Sequence, residues 1–209
     1  GIQAVAWSRY LTPEQLPDFA AEVKGDGRLD YQIFPSGDRE HYLPIDYVSP
    51  LDWRNRRVLG YDMLSETVRR TAVERSVDTG EASLSGPLVL RQEVDVNVQS
   101  GVLLYLPVYR PGVPVNSAEQ RRAALLGLVH GAFRSQDLIE GILGRQTRLF
   151  DIQLKDPGAS DLQLLSQEVG GNDWSPLFSY QQELSLYGRT WQLEVFGTPE
   201  YERGLIDRT

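Results

Sequence analysis

Two long apolar segments decide the fold of this 209-residue chain. Gly101–Tyr109 has the sequence GVLLYLPVY, and Ala124–Phe133 has the sequence ALLGLVHGAF. Both have the length of a strand and are apolar almost throughout, which predicts two buried strands of one sheet. Leu88–Val94, just upstream, predicts a third strand. Arg110–Arg122, which contains two prolines and many polar residues, predicts a surface loop.

Helices are predicted on both sides of these strands. A threonine N-cap followed by a proline predicts a helix that begins near residue 13. Apolar residues recur at helical spacing from Leu64 to Val77, and Thr79-Gly80 ends that helix with a left-handed cap. A short helix is predicted over Gln136–Leu143. Between the first two helices, Leu29–Phe34 predicts a half-buried strand whose hairpin partner is Tyr42–Val48.

The last third of the chain predicts a second, smaller sheet. Its turns include Tyr187-Gly188, which predicts a hairpin, and Thr198-Pro199 predicts the start of a final helix. The boundary falls near Gly144, so we expect two units, residues 1–144 and 145–209, of α+β class. The four predicted strands of the second unit are Leu149–Leu154, Leu162–Gln167, Phe178–Leu186 and Thr190–Phe196.

Composition excludes several classes of function. With 29 acidic against 21 basic residues, the net charge of −8 disfavours nucleic-acid binding, which needs a basic surface. The chain has no cysteine, so thiolate metal sites and cysteine nucleophiles are excluded. Its two histidines, His41 and His130, are too few for a three-histidine metal site. No apolar segment approaches the length of a membrane span, and no basic-then-apolar leader opens the chain.

Motifs for catalysis are missing from the sequence. There is no G-x-S-x-G elbow, no phosphate-binding glycine-lysine loop and no dinucleotide fingerprint. We therefore predict no catalytic residue, no metal and no cofactor. A hydrolase that uses a pair of carboxylates remains a disfavoured alternative.

A few polar residues lie where a ligand site would need them. Arg69 lies at the edge of the buried stripe of its helix, where its planar fork suits a carboxylate or phosphate, although it could equally extend to solvent. Tyr105 and His130 lie within the two long strands. A buried tyrosine hydroxyl needs a partner, which is either a backbone carbonyl or a ligand. His130 is more often a hydrogen-bonded core residue than a ligand contact.

The order and spacing of several short motifs resemble those of a bacterial CHASE domain. CHASE domains are the extracellular sensors named for cyclases and histidine kinases. The likeness covers roughly residues 1–145. Its motifs are Gly1–Trp7, His41–Tyr47, Val58–Asp62, Arg69-Arg70, Asp78–Gly80, Leu84–Pro87, Gly101–Tyr109 and Gly127–Phe133.

This resemblance implies a long N-terminal stalk helix followed by two PAS-like lobes in tandem. The membrane-distal lobe, residues 1–144 with a remnant of the stalk helix, would hold a small-molecule pocket. The proximal lobe, residues 145–209, would lead into a transmembrane helix. Flanking transmembrane helices outside this chain would provide the only contact with the membrane, and the full-length protein would be a homodimer.

The resemblance also implies the ligand-binding residues. In plant cytokinin receptors of this family, an aspartate on the helix grips the adenine edge of the hormone, and the matching residue here is Arg69. Tyr105 replaces a pocket threonine and Arg91 replaces a leucine. Met63 matches a pocket methionine, and Ser85 matches a threonine important for receptor function. Arginine donates hydrogen bonds only, so we expect an anionic or carbonyl-rich ligand rather than a cytokinin.

The function implied is that of a periplasmic or extracellular ligand sensor, part of an inner-membrane protein, and not of an enzyme. Its output domain, a diguanylate cyclase or a histidine kinase, would lie outside this chain. The alternative is a sensor module that binds a partner protein and has no small-molecule ligand.

Overall fold

The structure is a computed structural model that describes residues 1–93, 98–144, 149–159, 165–167 and 175–206. Within these residues it has two antiparallel sheets and five α-helices. The α+β prediction with PAS-like sheets and flanking helices is confirmed. The helices are α1 (Leu16–Gly25), α2 (Thr67–Thr79), α3 (Ala118–Ala124), α4 (Ser135–Leu143) and α5 (Pro199–Ile206).

The first sheet has six strands, in the order β2-β1-β6-β5-β3, with β4 also paired to β5. The two segments that opened the sequence analysis form its centre, and Tyr105 of β5 lies opposite His130 of β6. The strands are β1 (Ile2–Arg9), β2 (Ile45–Ser49), β3 (Ser83–Leu84), β4 (Leu88–Val89), β5 (Ser100–Tyr109) and β6 (Leu125–Arg134).

The second sheet has four strands in the order β8-β7-β10-β9, and its predicted hairpin at Tyr187-Gly188 is confirmed. Gly188 adopts a positive φ of 83°, a conformation that favours glycine. Residues 162–164 of the predicted strand Leu162–Gln167 lie outside the described residues. The strands are β7 (Phe150–Lys155), β8 (Leu165–Gln167), β9 (Ser179–Leu186) and β10 (Arg189–Gly197).

Each face of the first sheet borders a separate core. We call the face that packs against α2 the inner face, and the opposite face the outer face. On the inner face, Leu103 and Tyr105 meet apolar residues of α2, among them Val73 and Val77. On the outer face, side chains of the first sheet share a dry apolar core with the second sheet, formed by Leu84, Val102, Ile152, Leu154 and Trp191.

The hairpin turn of the second sheet also contacts the first unit directly. The backbone amide of Leu84 in β3 donates to the carbonyl of Tyr187 over 3.0 Å. The guanidinium of Arg75, on α2, donates to the carbonyl of Gly188. The helix that covers the inner face is thus also tied to the second sheet.

The predicted strand Leu29–Phe34 and its hairpin with Tyr42–Val48 are wrong. Phe34 makes only an isolated bridge, to Tyr61, and β2 pairs with β1 instead. Tyr31 and Ile33 pack against the small cluster around α1, so these alternate side chains are partly buried without a sheet partner.

Three further expectations about local structure need correction. The start of the chain is not a remnant of a stalk helix, because Ile2–Arg9 is a strand whose small residues at alternate positions face the core. The strand predicted over Leu88–Val94 has only two residues, Leu88–Val89, and Val94 lies outside the described residues. The loop predicted over Arg110–Arg122 contains most of α3, which Ser117 caps by accepting a hydrogen bond from Gln120.

Other predicted elements are confirmed. Helix α2 ends at Gly80, which has a φ of 75°, and α4 occupies the range predicted for it. Gly144 follows α4 directly. The division into units 1–144 and 145–209 stays a prediction.

Candidate functional site

A small cavity lies on the inner face of the first sheet, at its centre. Its floor is formed by residues of β1, β5 and β6, among them Ala6, Leu103 and His130. It is covered by α2 and by the segments around residues 58–63 and 90–92. The cavity volume is about 20 Å³, room for roughly one water molecule. Four of the five predicted site residues meet in or beside this cavity, namely Met63, Arg69, Arg91 and Tyr105.

The start of α2 positions Arg69. Glu66 caps the helix by accepting hydrogen bonds from the amides of Val68 (2.8 Å) and Arg69 (3.2 Å). The same carboxylate accepts from Nη1 of Arg69 at 3.0 Å, and Nη2 donates to the carbonyl of Val89 at 3.1 Å. Arg69 is only 5% exposed. It is therefore buried among these partners rather than placed at the edge of the helix stripe, as the sequence predicted.

Tyr61 lines the cavity, although its sequence position alone did not mark it as a site residue. The guanidinium carbons of Arg69 and Arg91 lie 5.3 and 4.8 Å from the centre of its buried ring. Gly60, with a φ of 83°, allows the chain to turn here, since a Cβ would lie 1.9 Å from the carbonyl oxygen of Gln32. Tyr61 belongs to the Val58–Asp62 motif, and that motif was the available signal.

Arg91 approaches the cavity from the surface. The residue is exposed as a whole, yet its guanidinium lies over the Tyr61 ring and it lines the cavity. Among the described residues it makes no ion pair. Its position fits a cation that closes the cavity toward solvent.

Tyr105 and Met63 lie deeper. The Tyr105 hydroxyl is fully buried, and its recorded contact is a long one of 4.0 Å to the sulfur of Met63. Burial raises the pKa of Tyr105 above its ordinary value, although the charge of Arg69 acts in the opposite direction. The hydroxyl therefore stays protonated and able to donate.

His130 lines the cavity next to Tyr105, and its ring centre lies 5.5 Å from the tyrosine ring. Its Nε2 is 3.0 Å from Oγ of Ser8, which is itself buried. Burial, assisted by the positive charge of Arg69, lowers the pKa of His130 to about 3, so the imidazole is neutral at pH 7. The bond to Ser8 agrees with the prediction that His130 is a hydrogen-bonded core residue. Its place in the cavity wall also fits the alternative prediction, a ligand contact.

Ser85 is the predicted site residue that the fold does not bring to the cavity. Its hydroxyl accepts from the amide of Leu103 at 2.9 Å and donates to the carbonyl of Gly86 at 2.8 Å. These bonds hold the segment after β3 against β5. Ser85 is not among the residues that line the cavity.

The chemistry of the site is that of a donor-rich cavity wall. The polar groups in or beside it are two guanidiniums, two tyrosine hydroxyls, a neutral imidazole and the amide of Gln92, and the guanidiniums can only donate hydrogen bonds. Over the described part of the chain, no cluster of three or more histidine, aspartate or glutamate side chains could hold a metal ion. None of the helices described is long and apolar enough to cross a bilayer.

Comparison with known families decides the identity of the fold. The family model described as the CHASE domain matches residues 1–165. This chain belongs to the CHASE family. CHASE domains are extracellular sensor domains of receptors such as histidine kinases and cyclases, and they are sensory rather than catalytic.

Three curated relatives that this CHASE domain matches are named as histidine kinases. The chain is 28% identical over 193 residues to "Hybrid signal transduction histidine kinase A" of Dictyostelium discoideum, which covers 83% of the chain and 9% of that protein. It is 28% identical over 151 residues to "Probable histidine kinase 4" of Oryza sativa subsp. japonica, covering 70% of the chain and 14% of the relative. The chain thus spans a small fraction of the length of these relatives.

Proposed function

We propose that this CHASE domain is the ligand-sensing part of a transmembrane signalling receptor, located in the periplasm or outside the cell. Its output domain would be a histidine kinase, as the names of its relatives suggest, or a diguanylate cyclase. Flanking transmembrane helices would anchor the receptor in the inner membrane, and a homodimer would carry the signal across it. The family match and the sensory role of CHASE domains support this proposal.

The ligand we propose is a small anionic molecule, most simply a carboxylate, bound in the cavity. The single observation behind it is that two guanidiniums, of Arg69 and Arg91, converge on the buried ring of Tyr61. Two cations that share one aromatic ring repel each other, and a carboxylate between them would offset that repulsion. Glu66 neutralises Arg69 in part, whereas Arg91 has no acidic partner among the described residues.

The size of the cavity sets a condition on this binding. A volume of about 20 Å³ is too small for an organic acid, so the ligand must bind a more open conformation. A ligand that prefers the open form shifts the population toward it, by at most its differential affinity for the two forms. This population shift is the signal that the domain would pass on.

A second candidate, a sensor that binds a partner protein, is favoured by one feature of the outer face. Tyr47, Val129 and Leu106 lie in one row across neighbouring strands, with Trp7 between the first two. Their exposed fractions are 51%, 37% and 50%. A row of exposed apolar side chains is typical of a protein interface.

The deciding experiment is native mass spectrometry of the purified chain, combined with thermal shift against organic acids, amino acids, purines and cytokinins. A probe at about 1,000 times its Kd stabilises the fold by about 4 kcal/mol, or about 10 °C for a chain of this size. We expect an acid to give this shift. Arg69→Gln and Arg91→Gln should both abolish it.

The control variant is Arg70→Gln, on the same helix, because Arg70 is exposed and donates to the carbonyl of Leu64 rather than into the cavity. It should keep the full shift. A cytokinin that binds, or an acid that binds Arg69→Gln and Arg91→Gln as well as the unmodified chain, would contradict the anion site. No hit across the panel would favour the protein-partner candidate.

A further inference from the structure

The hydroxyl of Tyr61 is a buried polar group to which the described residues offer no hydrogen bond. Tyr61 is only 1% exposed and lines the cavity. No described protein group lies within hydrogen-bonding distance of its hydroxyl. The structural work of this residue is done by its ring, which packs edge-on against Phe34 at 5.5 Å and lies beneath the two guanidiniums.

A phenylalanine would do the same structural work without the hydroxyl. Burying a hydroxyl that no protein group satisfies costs stability, so the folded protein alone gives no reason for a tyrosine here. Tyr42, on the neighbouring segment, differs in this respect. The hydroxyl of Tyr42, also buried, donates to the carbonyl of Gly37 at 3.0 Å and accepts from the amide of Arg39 at 3.2 Å.

We propose that Tyr61 is a ligand-contacting residue that determines specificity, donating its hydroxyl hydrogen to a carboxylate oxygen of the ligand. This inference rests on the proposed function and deepens it. The arginine fork requires acceptor atoms, and Tyr61 adds a neutral donor beside it. A carboxylate, which has only acceptor oxygens, satisfies both, whereas a primary amide of the same size brings donors that face the guanidiniums.

The test compares Tyr61→Phe with the matched control Tyr42→Phe, using acetate, lactate, succinate and benzoate as probes, and succinamide as the neutral counterpart of succinate. In the absence of a probe, Tyr61→Phe should leave Tm unchanged or raise it. Tyr42→Phe should lower Tm by about 2–4 °C, the effect of losing a hydrogen bond worth about 1 kcal/mol in a chain of this size.

Binding is then measured by titration calorimetry on the unmodified chain and both variants. We expect at least one acid to bind, its affinity to fall at least tenfold in Tyr61→Phe and to stay within twofold in Tyr42→Phe. Succinamide should bind no better to the unmodified chain than to Tyr61→Phe.

Each opposite result is decisive. If Tyr61→Phe lowers Tm as much as Tyr42→Phe does, the hydroxyl has a structural partner and the inference is wrong. If an acid binds Tyr61→Phe and the unmodified chain equally, the anion site stands but Tyr61 does not determine its specificity. If no probe binds the unmodified chain, the proposed anion site fails and the role of Tyr61 with it.

Discussion

The two faces of the first sheet are built by the same strands but have opposite chemistry. The inner face buries Arg69, His130 and Ser8 among apolar residues. Arg69 and His130 line the cavity, and Ser8 is hydrogen-bonded to His130. The outer face presents apolar side chains such as Leu84 and Val102, which pack against Trp191 of the second sheet. The apolar outer face joins the two sheets, whereas the buried polar groups of the inner face depend on hydrogen-bond partners.

The alternation of side chains along a strand produces this contrast. Leu103 and Tyr105 of β5 point to the inner face, and Val102 and Leu104 point to the outer one. A shift of the register by one residue would exchange the two sets. The continuous apolar character of these strands fits a sheet that is covered on the inner face and, where the second sheet packs, on the outer face as well.

The largest effect should come from the outer face. Trp191→Ala should cost about 3–5 kcal/mol of unfolding free energy, because it removes a large buried side chain from the core that joins the sheets. Urea denaturation measures it. Leu106→Ala, on the uncovered part of the same outer face and 50% exposed, is the control and should cost less than about 1 kcal/mol. Equal losses would show that the second sheet does not cover this face.

An intermediate effect should come from the inner face, through pH. The pKa of His130 is lowered to about 3 in the fold, so between that value and about 6.5 the unfolded chain binds the proton more readily. Stability from this residue is thus complete above pH 6.5 and falls on acidification, by about 2 kcal/mol at pH 5.

The measurement is the loss of unfolding free energy between pH 7 and pH 5, in the unmodified chain and in His130→Gln. Carboxylates contribute equally to both, so the loss should be about 2 kcal/mol smaller in His130→Gln. NMR of the unmodified chain should find the His130 ring shifts constant between these pH values. A His130 ring that titrates near pH 6.5 would show that water reaches this residue and that the inner face is less well buried than the structure indicates.

The smallest effect should come from Glu66, whose carboxylate would compete with an anionic ligand for Arg69. Glu66→Gln keeps an oxygen to cap α2 but removes the charge next to Arg69, so we expect a stability loss of about 1 kcal/mol or less. An acid that binds the cavity should bind this variant more tightly, because it no longer competes with a carboxylate. Glu74→Gln, exposed on the same helix, should change neither quantity. Weaker binding to Glu66→Gln would mean that Glu66 helps to hold the ligand.

Local signals predicted much of this fold. The helix from Thr67 to Thr79, with its glycine cap, and the hairpin at Tyr187-Gly188 depend on residues near in sequence, and both are confirmed. Leu29–Phe34 has the alternation of a strand, but packing against α1 determines its structure. The alternation does not say which neighbour will cover an apolar side chain, and this is decided by contacts between distant residues.

The candidate site was predicted only in part, because contacts between distant residues complete it as well. The resemblance to CHASE domains supplied Arg69, Arg91, Met63 and Tyr105, which the fold brings together, and also Ser85, which it uses to hold β5. The proposed role of the Tyr61 hydroxyl, as a hydrogen-bond donor to the ligand, depends on which groups surround it. That information lies in the approach of β4 and α2 and has no signature along the chain.

Helix α2 gives the cavity a mechanical connection to the rest of the domain. Arg69 and Arg75 are six residues apart on it, about 9 Å along the axis. A hydrogen-bonded helix of this length moves as a rigid rod. A tilt that opens the cavity at Arg69 must therefore also displace the guanidinium that holds the carbonyl of Gly188. If the proposed ligand opens the cavity by tilting α2, its binding would also shift the hairpin turn of the second sheet.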